Sequence, residues 1–232
     1  MSVSVSSRRK IPQAALIRLP MYLRLLGEVI AQGVTHISSD QLAELAAVNA
    51  AKVRKDLSYL GSYGVRGVGY EVAFLSYQIQ RELGVNHEWP IVIVGAGNLG
   101  QALANYGGFV ERGFGLVGVF DTDPSKIGTH VGGICVQHLD ELSEVVQTRG
   151  VSIGVLATPA ATAQEAVNRL VRAGVGSILN FVPIVLSVPR GVHISKVDLA
   201  GELQILSYYE QQKVNSLSHI QATTTSSRAV SA

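Results

Sequence analysis

Four β-branched residues stand in a row at Ile91-Val92-Ile93-Val94, with no polar alternation between them. Such a run suits a strand buried on both faces, as in a parallel sheet. Comparable apolar runs recur at 116–120, 152–157 and 177–181. Between them lie stretches with helical spacing: Leu99, Leu103 and Tyr106, then residues 139–148, then residues 161–173 with Gly174 as their stop. Strands alternating with helices predict a doubly wound α/β domain.

The pattern before residue 86 is different. Apolar spacing at Leu16, Leu19, Leu23, Leu26 and Ile30 predicts a helix over 13–32, which Pro20 kinks or restarts and Gly33 closes. Ser38 and Gln41 stand at capping-box spacing and open a second helix with Leu42, Leu45 and Ala46 on its apolar face. Asn49 caps a third through about Leu60, with Val53, Leu57 and Leu60 turned inward. Residues 61–70 are β residues punctuated by glycines, with Arg66 near the tip of the expected hairpin. A helix over 72–83 then leads to a boundary at 84–89. At the far end an amphipathic helix over 198–220 carries Leu199, Leu203, Leu206, Tyr209, Val214, Leu217 and Ile220. The sheet is complete by then, so this stripe requires another surface, and a partner subunit is the obvious candidate. Residues 1–12 and 221–232 hold little to bury and read as disordered.

Composition adds bounds. The 232 residues, 47% hydrophobic and 16% charged with 24 glycines, suit one large domain or a small one plus a medium one. No apolar run approaches the ~18 residues of a membrane span, and the basic N-terminus has no apolar core of a signal peptide behind it. The single cysteine, Cys135, excludes an internal disulfide and fits a reducing cytoplasm; a buried packing role is expected for it. The net charge of +2 hides an asymmetry: residues 1–85 carry ten Lys/Arg against six Asp/Glu, and residues 86–232 nine against eleven. A basic unit fused to a mildly acidic one suggests that the first half meets a polyanion.

The chemistry concentrates in two places. The strand at 91–94 runs into Gly95-x-Gly97-x-x-Gly100, where the glycines serve a tight turn, a close approach to pyrophosphate, and helix–strand packing. Phosphates would sit on the free N–H groups of the following helix. The second strand ends in Asp121, 21 residues after Gly100, where a dinucleotide site places the acid for the adenosine ribose. Thr122, Asp123 and Pro124 follow without an arginine, so a 2′-phosphate would meet carboxylates and NAD(H) is favoured over NADP(H). A plain βαβ turn with a solvated aspartate is the alternative. Strand ends at Asp121, Thr158 and Asn180 all fall on the ligand-binding carboxyl edge. In the first half, the third helix turns Ala51, Lys55 and Ser58 outward, flanked by Lys52, Arg54 and Tyr59. Cations there neutralise phosphates, and small or polar groups reach base edges. Two short helices, the second basic, followed by a hairpin, describe a winged helix-turn-helix with Arg66 placed for a minor groove. A solvated helix face is the plainer reading.

The stretch from Val53 to Tyr70, Val-Arg-Lys-Asp-Leu-Ser-Tyr-Leu-Gly-Ser-Tyr-Gly-Val-Arg-Gly-Val-Gly-Tyr, together with 94–100 and Ile178-Leu179-Asn180-Phe181-Val182-Pro183, resembles the Rex family of NADH-responsive redox-sensing repressors over nearly all of 11–220. The resemblance implies a winged-helix domain (13–85), a Rossmann NAD(H)-binding domain (86–198) and a dimerisation helix (199–220) exchanged between the subunits of a homodimer. That dimer binds an inverted-repeat operator in double-stranded DNA, releases it when NADH binds, and tolerates NAD⁺. The expected cofactor residues are Gly95, Ala96, Gly97, Asn98, Leu99, Gly100, Asp121, Thr158, Pro159, Asn180 and Phe181. The expected DNA contacts are Lys52, Arg54, Lys55, Ser58, Tyr59 and Arg66. Arg24, Tyr106 and Asp198 match residues that the family uses to couple the two sites. Position 199 is leucine, where some relatives place an aromatic near the nicotinamide. Two other classes compete: a dehydrogenase, disfavoured by six scattered histidines and the lack of a substrate domain, and a CoA-binding interaction module, against which Asp121 stands.

Overall fold

The computed structural model describes residues 11–61, 64–65 and 67–213. The chain divides between Glu88 and Trp89 into two units.

In the first unit, α1 (Gln13–Leu16) stops and α2 (Leu19–Ala31) restarts with Pro20 in its first turn, where the missing N–H costs nothing. The buried face of α2 is Leu19, Tyr22, Leu25, Leu26 and Val29, rotated from the expected one; Leu16 and Ile30 are exposed. The restart at Pro20 resets the helical phase. β1 (His36–Ile37) precedes α3 (Ser39–Leu45), whose capping box is complete: Ser38 Oγ accepts from Gln41 N, and Gln41 Oε1 accepts from Ser38 N. Leu42 and Ala46 are buried as their spacing requires, but Leu45 is half exposed and Ala43 takes its place on the inward face. α4 (Ala50–Ser58) is capped by Asn49 Oδ1 on Ala51 N, and Val53, Leu57 and Leu60 are buried as their spacing requires. β2 (Tyr70–Glu71) pairs antiparallel with β1, a pairing too short to leave a sequence pattern. Val65 bridges Gly69 within the hairpin, while Ser62, Tyr63 and Arg66 lie outside the described residues. α5 (Val72–Leu83) ends in Gly84 at φ 71°.

The second unit is built on a seven-stranded sheet in the order β5-β6-β4-β3-β7-β8-β9. In chain order β3 (Trp89–Val94) leads to α6 (Asn98–Ala104), then β4 (Phe114–Asp121), the hairpin β5 (His130–Val131) and β6 (Ile134–His138), α7 (Leu142–Arg149), β7 (Ile153–Leu156), α8 (Ala160–Ala173), β8 (Ser177–Asn180) and β9 (His193–Lys196). All neighbours are parallel except β5 and β6. Val92, Val94, Phe120 and Leu156 bury one face of the sheet against α7 and α8; Ile91, Ile93 and Val155 build the other with Leu103 and Phe109. α6 stops before Tyr106, which is exposed and stands edge-on to Phe109. Cys135 is exposed rather than buried: it lies on the outer strand pair, where alternation sends Val136 inward and Cys135 to solvent. A final helix, α9 (199–213), continues to the end of the described residues, so Val214, Leu217 and Ile220 lie beyond them. Leu199, Leu203, Leu206 and Tyr209 are each more than half exposed along it. No helix among the described residues is long and apolar enough to cross a membrane.

Candidate functional site

The parallel strands β3, β4, β7 and β8 all end at one edge, and a cleft of about 750 Å³ opens there. Its floor is the turn after β3. Gly95 adopts φ 105°, and a Cβ on it would stand 2.5 Å from Ala157 O, so neither the conformation nor the space admits a side chain. A Cβ on Gly100 would fall 1.8 Å from Gly95 O, which is how closely α6 rests on the turn. Gly97 differs: nothing lies within 4 Å of its absent Cβ, which leaves open space over the first turn of α6. The N–H groups of a first helical turn have no intrahelical partner, so this opening offers donors to an anion.

Asp121 closes one side. Its Oδ2 accepts from Ala96 N at 2.7 Å and from Lys126 Nζ at 3.1 Å. Its Oδ1 accepts from Thr122 N and Asp123 N at 2.8 and 2.9 Å. Burial pushes the carboxyl up, but the N–H groups of Asp123 and Ala96 and the Lys126 ammonium outweigh it, and Asp121 titrates below its ordinary value. Lys126 also lies 3.6 Å from Asp123 Oδ2. Two carboxylates against one ammonium leave this corner with a net negative charge. Lys126 stands five residues after Asp121, behind an Asx turn in which Asp123 Oδ1 accepts from Ser125 N, so its return to Asp121 leaves no mark in the spacing of the sequence. Further out, Arg169 lines the cleft with its guanidinium committed to Asp140 and Glu165.

Asn98, Leu99, Thr158, Pro159 and Phe181 line the cleft with Gly95, Gly97 and Asp121. Thr158 Oγ1 is buried there without a hydrogen-bond partner, an orphan hydroxyl of the kind that a polar ligand satisfies. Three expected residues act from behind the wall. Gly100 packs on the turn, Ala96 is buried and gives its N–H to Asp121, and Asn180 spends both ends of its amide on the backbone of Val182. Asn180 thereby shapes the loop whose Phe181, Val182 and Pro183 face the cleft. A dinucleotide fits this donor set: open backbone N–H groups for a pyrophosphate, a carboxylate for ribose hydroxyls and a free hydroxyl beyond.

The second set of residues lies on α4. Lys52, Arg54, Lys55 and Ser58 are exposed on one side and Tyr59 is half-buried at its end. Arg54 Nη1 donates to Ser39 Oγ at 2.9 Å and lies 4.0 Å from Asp40 Oδ2. Ser58 donates its hydroxyl to Lys55 O at 2.7 Å. Arg66 lies outside the described residues. Of the expected coupling residues, Arg24 is exposed on α2 beside Glu28, and Tyr106 borders an apolar depression with Ile91, Phe109 and Phe114. Asp198 caps α9, accepting from Gly201 N at 2.9 Å, and pairs with Lys196 at 2.8 Å.

A helix-turn-helix unit joined to a nucleotide-binding parallel sheet defines a ligand-responsive transcription regulator. Residues 10–58 match the family model described as "Putative DNA-binding protein N-terminus", and residues 86–184 that described as "CoA binding domain". The chain is 60% identical over 205 residues to the redox-sensing transcriptional repressor Rex of Streptomyces coelicolor, covering 88% of this chain and 80% of that one. The structure of RSP, a Rex-family repressor, in complex with β-NAD⁺ and operator DNA superposes with a TM-score of 0.83 at 37% identity, covering 90% of this chain and 97% of that one. RSP in complex with β-NADH gives 0.80 at 36% identity, covering 90% and 99%. The chain belongs to the Rex family of redox-sensing transcriptional repressors. Its relatives are named as regulators of transcription rather than as enzymes.

Proposed function

We propose that this chain binds an inverted-repeat operator as a homodimer, through Lys52, Arg54, Lys55, Ser58, Tyr59 and Arg66, and leaves it when NADH fills the cleft of the second unit. The observation that supports this reading is the cleft itself: a carboxylate, Asp121, beside an open glycine turn in the same chain as a basic helix-turn-helix. NAD⁺ competes for the same cleft without causing release. A chromosomal partner makes the protein cytoplasmic. Release follows from a shift between two dimer arrangements, with NADH binding the DNA-incompetent one better. A difference of ~3 kcal/mol changes operator affinity about 150-fold. Arg24, Tyr106 and Asp198 couple the nicotinamide end to the DNA-binding units, and the apolar stripe of α9 is covered by the partner subunit through helix exchange.

The match to a CoA-binding model leaves a nucleotide module as the other ligand class. CoA carries a phosphate on its adenosine ribose, which would face Asp121 and Asp123, so the negative corner favours NADH over both CoA and NADPH. Calorimetric titration of the purified chain with the three ligands tests this. NADH binding in the micromolar range or tighter, with NADPH and CoA at least about tenfold weaker, is the expected order. CoA binding without NADH binding would overturn the assignment.

A further inference from the structure

The inward face of α4 carries a carboxylate. Asp56 is 2% exposed and is the only buried charged side chain among the described residues. Arg18, at the N-cap of α2, meets it with a two-pronged contact: Nε donates to Oδ2 at 2.6 Å and Nη2 to Oδ1 at 2.7 Å. Tyr22, one turn further along α2 and fully buried, donates its hydroxyl to Oδ2 at 2.9 Å. The hydrogen bond to Asp56 holds the Arg18 guanidinium above its ordinary value against the opposing effect of burial. Burial, followed by the hydrogen bond to Asp56, pushes the Tyr22 phenol up to about 12.

Arg18 keeps part of its side chain in solvent while Asp56 does not. An ion pair with a buried partner is a poor route to stability, because desolvation consumes much of the attraction and an apolar replacement of similar volume is often neutral or better. What this one supplies is direction. Val53 and Leu57 hold α4 to the core through dispersion contacts that tolerate a small rotation about the helix axis. A planar guanidinium locked on a carboxylate does not. With side-chain tips roughly 6 Å from the axis, a roll of about 20° moves them by roughly 2 Å. That displacement breaks a hydrogen bond to a base edge, whereas contacts between cations and phosphates survive it.

We propose that Arg18, Tyr22 and Asp56 are positioning residues for sequence readout, which fix the roll of α4 and thereby set operator specificity without supplying the attraction to DNA. The proposal rests on α4 being the recognition helix.

The test compares two duplexes by fluorescence anisotropy at fixed salt: an inverted-repeat sequence selected by this protein from random DNA, and a scrambled duplex of equal composition. In the double variant Arg18→Met/Asp56→Leu no charge is left buried alone. It is expected to melt cooperatively, to lose about tenfold or more on the selected duplex and to stay within about twofold on the scrambled one. Equal losses on both duplexes, or no loss on either, overturn the proposal. If that variant does not fold, Tyr22→Phe decides, because it deletes a single hydroxyl. Its selected-to-scrambled ratio is expected to fall about two- to fivefold, and an unchanged ratio overturns the proposal. Lys55→Ala separates the underlying reading: it should weaken both duplexes together. If it weakens neither, α4 is not the recognition helix and the proposal falls with that reading; if it weakens both while the specificity ratio of the clamp variants is unchanged, the clamp alone is refuted.

Discussion

Asp121 receives four hydrogen bonds, two on each oxygen, which already fills the acceptor capacity of a carboxylate. Three come from backbone N–H groups that cannot leave. On the proposed reading a ribose hydroxyl would enter at the expense of Lys126, the one side-chain donor of the four. Asp121→Ala should weaken NADH about tenfold or more and narrow the margin over NADPH, because hydrogen bonds to a charged group are lost and a repulsive charge goes with them. Lys126→Ala should widen the same margin, since it leaves both carboxylates uncompensated against a 2′-phosphate. Calorimetry with both nucleotides reads both variants, and an unchanged margin in the pair would remove the charge argument. Tyr22 makes a separate prediction. Its pKa is raised from an ordinary 10.0 to about 12, so the folded state favours the neutral phenol. That contribution to stability is complete below pH 10 and is lost as pH rises toward 12. Thermal melts over this range should show a steeper loss for the parent than for Tyr22→Phe; parallel curves would contradict it.

The elements differ in how openly their residues announce them. Ser38 and Gln41 form the reciprocal cap that their spacing promises. Ser38→Ala should therefore cost about 1 kcal/mol of the first unit's stability, read as a lower unfolding midpoint; no change would mean that tertiary contacts alone hold α3. α5 and the buried strands β3, β4, β7 and β8 were equally legible, because continuous apolar runs and a glycine stop are local signals. The hairpin β5–β6 and the edge strand β9 were not. His193-Ile194-Ser195-Lys196 mixes polar residues with one apolar position, and only its pairing with β8 makes it a strand. The restart at Pro20 is one of the two outcomes its position allows, but the apolar spacing counted from Leu16 does not carry across the break between α1 and α2, and the phase of α2 differs for that reason. At the cleft, the glycine turn and Asp121 were readable from spacing, whereas Lys126 and the supporting role of Asn180 depend on how loops fold back. Asp56 had a visible signal, a charge on the same stripe as Val53 and Leu57, but its partner Arg18 is 38 residues away.

At the scale of the whole molecule, α9 is the element that does not fit a single chain. Leu199, Leu203, Leu206 and Tyr209 each expose more than half of their surface, an arrangement that a partner subunit would relieve. Leu203→Glu together with Leu206→Glu should shift the chain from dimer to monomer in analytical ultracentrifugation while NADH still binds; a dimer of unchanged stability would exclude α9 from the interface. Asp198 caps this helix as well as standing in the proposed coupling path, so Asp198→Ala would confuse the two roles. Asp198→Asn keeps an acceptor for Gly201 N and removes only the charge. The expected variant binds operator and NADH separately yet no longer releases DNA on adding NADH, and normal release would exclude a role for that charge. The central claim is coupling between the two units, and one titration reads it directly. Operator duplex bound to the protein is followed by fluorescence anisotropy at constant salt while NADH, and then NAD⁺, is added. Release by NADH with the complex surviving equal NAD⁺ is the result expected; DNA binding indifferent to both nucleotides would contradict the account.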